Sequence, residues 1–145
     1  MIFEFWAKAR TSIPELPSQT IPPAWAFGDT PGMADELSAL VIGGKKTATS
    51  SLYAEYLQEG EPLPKSGQLN ILLDSQGKPV ALLETTGVEV LKFSEVSEEH
   101  AIREGEGDLS LEYWRTEHRR FWSKGKRFDD STLVVTECFK VIFLD

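Results

Sequence analysis

The sequence predicts a single α+β domain built on a small, mainly antiparallel sheet or barrel. Three observations predict it. Gln68 to Leu73 and Val80 to Leu91 have strand character and are joined by Asp74-Ser75-Gln76-Gly77-Lys78, a glycine-containing hairpin turn. Helical stripes with recognisable caps lie on both sides of that hairpin. An apolar run, Leu133, Val135 and then Phe139 to Leu144, supplies a closing strand.

From the N-terminus, Ile2 to Arg10 reads as a short helix. Ile13 to Pro23 holds Pro14, Pro17, Pro22 and Pro23, which makes it a loop or extended arm packed on the domain. Residues 1–24 are thus set apart from the main unit, 25–145. Thr30-Pro31 reads as N-cap and first helical position, with Met33, Leu37, Leu40 and Val41 on one face. Asp35 and Glu36 suit the positive end of that helix. Gly43-Gly44 stops it. Tyr53 to Gln58 suits one more helical turn. Ser97 caps a short helix at Glu98-Glu99-His100, and Asp108 or Ser110 caps the next. The apolar stripe of that last helix is Leu111, Trp114, His118, Phe121 and Trp122.

The chain has 145 residues, 41% hydrophobic and 10% aromatic, enough for one core without disulfide staples. Cys138 is the single cysteine, so a reducing, cytoplasmic setting is expected. No run of about 18 apolar residues suggests a membrane span. Met1 to Trp6 carries an acid and does not read as a signal peptide. The formal net charge of -8 argues against a broad nucleic-acid-coating surface. Yet Arg115, Arg119, Arg120, Lys124, Lys126 and Arg127 cluster within Ser110 to Arg127. Such a patch fits either a short single strand or an ordinary solvated helix face.

The densest chemistry lies in Gly43-Gly44-Lys45-Lys46-Thr47-Ala48-Thr49-Ser50-Ser51. One reading is a helix stop followed by a polar strand. The other is a site. Lys46 and Thr49 are three apart, so in a pure strand they point to opposite faces. They share a cleft only if the chain turns between them. Threonine is a poor nucleophile without a neighbouring base. Lysine is a base only if burial or a nearby cation such as Lys45 lowers its pKa; otherwise it clamps a phosphate or carbonyl oxygen.

Gly44-x-Lys46-x-x-Thr49 resembles the G-x-K-x-x-T-x-R motif of ASCH domains, a family with the PUA-like β-barrel fold. Trp25-Ala26-Phe27-Gly28-Asp29, Ala34-Asp35-Glu36-Leu37, Glu104 through Arg115, His118 and Phe121 resemble its longer bacterial branch. The resemblance implies RNA binding, or hydrolysis of RNA or of N4-acylated cytidine. For the amidohydrolase it implies a metal-free catalytic set of Lys46, Thr49 and Glu104, the last lying four residues after His100. For the ribonuclease it implies help from a divalent metal; no cofactor is otherwise expected. The implied partner is single-stranded RNA or a ribonucleoside, bound by a monomer or weak dimer, with a non-catalytic RNA-reading module as the alternative. Trp25 and Phe27 are candidates to frame a base, and Arg115 and Arg119 to hold a backbone. Gly28, Lys45, Glu84 and Ser51 complete the candidate binding set. Ser51 stands where the motif has its last arginine, which removes a bidentate anion clamp.

Several candidates keep a structural reading beside the functional one. Glu84 points into a barrel mouth or to solvent. Trp25 or Phe27 seals the core. Asp108 caps a helix rather than binding a metal with Glu104 and Glu106. His118 is a packed, hydrogen-bonded histidine, and His100 a helix-surface residue. Without a histidine–cysteine cluster, no zinc site is expected.

Overall fold

A computed structural model describes residues 1–18, 20–125 and 127–145. Lys126, part of the basic patch, falls outside them. The elements run α1 (Ile2–Ser12), β1 (Ala24–Trp25), α2 (Pro31–Ile42), β2 (Ala48–Leu52), α3 (Tyr53–Glu59), β3 (Leu69–Leu73), β4 (Pro79–Lys92), a 3-10 turn (Phe93–Glu95), α4 (Glu98–Glu104), α5 (Leu111–Trp122) and β5 (Leu133–Leu144).

The strands form one mixed sheet in the order β1-β3-β4-β5-β2. The β1–β3 pair is parallel, and the β3–β4, β4–β5 and β2–β5 pairs are antiparallel. The mainly antiparallel α+β expectation therefore holds, but the sheet is open rather than a closed barrel. β1 has two residues to offer a partner. At the other edge, Arg103 of α4 accepts from Thr47 N at 2.7 Å, just ahead of β2. The approach to that edge strand is thus tied to a helix end. In β4, register shifts at Leu82/Leu83 and Thr85/Gly87 let the long strand bend.

Local chemistry sets the helix ends. Thr30 Oγ1 accepts from Met33 N at 3.2 Å, and Pro31 follows it. Ser97 caps α4 through His100 N, and Ser110 caps α5 through Tyr113 N. Asp108 instead receives Ser110 N at 2.9 Å, a local turn just before that cap. The inner face of α2 is Ala34, Leu37, Ser38 and Val41, rotated from the predicted one, with Met33 exposed. Asp35 does not serve the helix terminus. Its carboxylate accepts from Ser75 N and Oγ at 2.9 and 2.8 Å, tying α2 to the β3–β4 turn.

The sheet is covered on both faces, and strand alternation sorts the side chains. On one face Leu72, Leu83 and Phe139 meet Leu37 and Val41 of α2, with Phe27. On the other face α1 packs Phe5, Trp6 and Ala9 on Ile71 and Leu82. Further along this second face, Leu52 and Val134 meet Ala101 of α4 and Trp114 and Trp122 of α5. β1, directly after the proline-rich arm, was not legible in the sequence: two residues carry no period.

Trp6 is 4% exposed and anchors α1 to the sheet. Trp6→Ala is expected to cost about 3–5 kcal/mol, the usual range for a buried aromatic truncation. A lowered urea midpoint at unchanged slope measures it.

Candidate active site

Gly43 and Gly44 do more than end α2. Gly44 adopts φ +81°, and the N–H groups of Lys45 and Lys46 both return to Leu40 O, at 2.9 and 3.1 Å. This reversal puts Lys46 just ahead of β2. Its side chain folds inward and is 2% exposed. Nζ donates to Ala48 O at 2.9 Å, to Glu106 Oε2 at 3.0 Å and to Glu104 O at 3.4 Å. It lies 3.8 Å from Glu104 Oε1 and 5.2 Å from the centre of the Phe27 ring. An ammonium has three protons to donate, and three oxygens receive them. This is the arrangement of a fixed cation, not of a base waiting for a proton.

Glu104 is the last residue of α4 and is 2% exposed. Its Oε2 accepts from Ser50 Oγ at 2.6 Å, His100 Nε2 at 2.7 Å and Trp114 Nε1 at 2.6 Å. Its Oε1 faces His118 Nε2 at 3.5 Å as well as Lys46. Burial pushes the carboxyl's pKa up, but hydrogen bonds from His100 and His118 and the Lys46 charge outweigh it. The group is held well below the usual carboxylate range. His100 is therefore not a surface residue. It is 7% exposed, because one turn of α4 aligns it with Glu104 on the inner face. His118 is the packed histidine expected: Nδ1 donates to Trp114 O at 2.8 Å, and its ring stacks on Trp114 at 4.2 Å.

α4 reaches this position through a glycine. A Cβ on Gly105 would lie 2.4 Å from Lys45 O, and the residue has φ +72°. The end of α4 thus meets the backbone beside Lys46 only without a side chain.

Ser50 points toward Glu104, so Thr49 and Ser51 face the other side of β2. Ser51 Oγ pairs with Tyr56 OH of α3 at 2.7 Å. Thr49 stands directly across from Glu137 in β5. Glu137 Oε2 accepts from Thr85 Oγ1 of β4 at 2.6 Å. Burial pushes the Glu137 carboxyl up from its ordinary value, and the Thr85 hydrogen bond opposes that only in part. Burial also raises the Tyr56 phenol. Thr49 is half-buried, and its hydroxyl makes no side-chain hydrogen bond among the described residues.

The fold thus unites Lys46 and Glu104, and the hydroxyl on Glu104 is that of Ser50. Thr49 sits next along the strand, on the opposite face, joined to the pair by the Lys46–Ala48 carbonyl bond. Phe27 walls the lysine, and Trp25 meets Phe27 edge-on at 4.8 Å while donating to Asn70 Oδ1 at 2.9 Å. Gly28, at φ +77°, lets the chain pass Met33. Lys45 is exposed. Other candidates lie elsewhere. Glu84 lines a cleft of about 680 Å³ beneath the proline arm and pairs with Lys140 at 3.5 Å. Arg115 donates to Ser94 O at 3.1 Å. Arg119 bonds Asp130 at 2.8 Å and stacks 5.0 Å from the Phe93 ring centre. Among the described residues, no three His, Cys, Asp or Glu are grouped to hold a metal ion.

The ASCH domain family model matches residues 23–143. The chain belongs to the ASCH domain family. An ASCH domain from Lactobacillus crispatus JV V101 is 33% identical, with a TM-score of 0.85 over 96% of this chain and 92% of that one. A protein from Enterococcus faecalis V583 assigned to the DUF984 family is 38% identical, with a TM-score of 0.89 over 99% of this chain and 88% of that one. No curated protein matches the chain significantly. These ASCH relatives support the PUA-like fold class, here with an open five-stranded sheet.

Sequence reading missed Ser50, Glu106, Trp114, Thr85, Tyr56 and Glu137 as members of these two polar clusters. One signal was present: His100 with Glu104, and Trp114 with His118, are each four apart on a helix. Glu137 is an acid inside the apolar run of Val134 to Phe139.

Glu104→Gln replaces an acceptor of three hydrogen bonds with a neutral amide beside a buried lysine. The expected loss is about 3–5 kcal/mol in chemical denaturation at neutral pH. A depressed carboxyl stabilises the fold above its unfolded pKa near 4.5 and loses that contribution as pH falls through its lower folded value. The gap between wild type and variant should therefore narrow steadily below pH 4.5. Gly105→Ala should cost more than about 2 kcal/mol, because it adds left-handed strain to a backbone clash. Thermal melts of the two proteins measure it.

Proposed function

We propose that this ASCH domain is a hydrolase of modified ribonucleosides, cleaving an acylated amino group of a cytidine-like base. Family membership points to RNA-related chemistry. One observation carries the enzymatic reading. A buried cation–anion pair is locked to the backbone of β2 at Ala48, and the next side chain is a half-buried threonine whose hydroxyl has no hydrogen-bond partner among the described residues. A fixed charge beside a free hydroxyl is what an acyl-transfer site needs.

In this reading Thr49 is the nucleophile. Lys46 holds the strand in place through the Ala48 carbonyl. Glu104 orients Lys46. Its carboxylate is too well supplied with donors to carry a proton at neutral pH. Phe27 and Trp25 provide the aromatic wall against which a base can rest. Ser51, lacking the arginine's reach, offers no bidentate anion clamp on this face. That favours a neutral nucleoside over a phosphate-rich strand.

Replacing Lys46 strands the buried Glu104, so a loss of activity there mixes folding with chemistry. Thr49→Val is the cleaner probe, since it keeps shape and removes the hydroxyl. Purified wild type is expected to deacylate N4-acylcytidines, read by product mass. Thr49→Val should lower turnover by roughly 10³-fold at an unchanged melting temperature. Turnover untouched by that change sinks the assignment. Activity should survive a chelator. Loss of activity on metal removal, with cleavage of single-stranded RNA in its presence, would favour the ribonuclease. Salt-sensitive RNA binding without any product would favour the reader.

A further inference from the structure

We infer that Glu137, set in the ladder beside Thr49 and steadied by Thr85, is the proton carrier of this site. The inference rests on the hydrolase reading above and names the group that reading lacks. Acyl transfer from nitrogen needs two proton movements. The attacking hydroxyl must lose its proton, and the departing nitrogen must gain one, because an amide anion is too poor a leaving group.

The other candidates are committed. Lys46 gives its three protons to Ala48 O, Glu106 Oε2 and Glu104 O. Glu104 receives three donors on a single oxygen. Glu106 is engaged with Lys46. Tyr56 is paired with Ser51.

Glu137 differs in each respect. It is the direct cross-strand neighbour of Thr49. Paired side chains in such a ladder have Cβ atoms about 4.5–5.5 Å apart on one face, so one water or the substrate nitrogen can bridge them. One carboxyl oxygen is fixed by Thr85 at 2.6 Å. The other has no hydrogen-bond partner among the described residues. The ionisable group facing it from the packed helix α3 is Tyr56, whose own pKa is raised by burial first and by the Glu137 charge among lesser causes. Burial moves Glu137 upward, toward the range where a carboxyl can both take and give a proton.

The steps balance. Thr49 Oγ1 bonds to the acyl carbon and its proton passes to the Glu137 carboxylate. The carbon–nitrogen bond breaks, and the nitrogen leaves with that proton as the free amine. Water then adds to the acyl-threonine ester, giving a proton to Glu137. The ester carbon–oxygen bond breaks, Thr49 recovers its proton from Glu137, and a carboxylic acid is released.

Glu137→Gln keeps an oxygen for Thr85 and removes the exchangeable proton. Two substrates separate the roles: N4-acetylcytidine, whose leaving nitrogen needs a proton, and p-nitrophenyl acetate, whose leaving phenolate does not. The variant should lose about 10²–10⁴-fold in turnover of the amide and less in the initial p-nitrophenolate release from the ester, whose attack still passes the Thr49 proton to Glu137 but whose leaving group needs none. It should also melt higher at pH 7. A carboxyl raised in the folded state costs stability as pH rises above its unfolded value of 4.5, and the amide does not. Amide turnover within threefold of wild type, or an equal loss in the ester's initial release, overturns the role of Glu137 and leaves the hydrolase standing. No amide turnover by wild type overturns the hydrolase reading and this inference with it.

Discussion

The buried pairing of Lys46 with Glu104 is the constraint around which the molecule is arranged. Four segments meet there. The reversal after α2 delivers Lys46, the first residue of β2 offers the Ala48 carbonyl, the end of α4 supplies Glu104, and α5 adds Trp114 and His118. None of these segments is adjacent in sequence to all the others. Their relative positions are therefore fixed by this cluster as much as by apolar packing. Gly105 belongs to the same constraint, because the two backbones must come too close for any Cβ.

Two charges at 2% exposure are expensive to bury, and their mutual attraction alone does not repay desolvation. The fold offsets that cost by supplying partners. Glu104 has Ser50, His100 and Trp114 on one oxygen and Lys46 and His118 near the other. Lys46 has a second carboxylate in Glu106 and an aromatic ring in Phe27. Replacing the set with aliphatic residues would often be neutral for stability in a protein of this kind. The charge pair is better understood as setting register and local potential than as a source of net stability.

Much of the fold was legible because it rests on local rules. Thr30, Ser97 and Ser110 each cap the helix that follows, and Asp74 to Lys78 turns the hairpin, all within a few residues of sequence. The open sheet was not legible. Whether β1 and β2 meet depends on a two-residue strand and on α4 approaching the head of β2, and neither has a sequence period. At the site, the chemical types of Lys46, Thr49 and Glu104 came through the motif resemblance. Their geometry did not. His100 looked like a surface residue because its neighbours Glu98 and Glu99 are charged. Its burial follows from the inner face of α4, which only tertiary contact reveals. Glu137 escaped notice for the opposite reason. A lone acid among valines and a phenylalanine reads as an alternating solvent position until its strand is known to lie in the middle of the sheet.

The alternation of β2 gives two neighbouring hydroxyls different tasks. Ser50 points to the anion and is consumed by it, at 2.6 Å from Glu104. Thr49 points to the other face, where the carboxyl across the ladder is raised rather than depressed. One strand thus separates a saturated, fully charged side from a side with hydrogen-bonding capacity to spare. A group already satisfied by the protein has little to offer a substrate, since any new contact must first break an old one. In the hydrolase proposed above, chemistry therefore belongs on the Thr49 face, and the Lys46–Glu104 cluster serves it from behind by holding the backbone from which Thr49 projects.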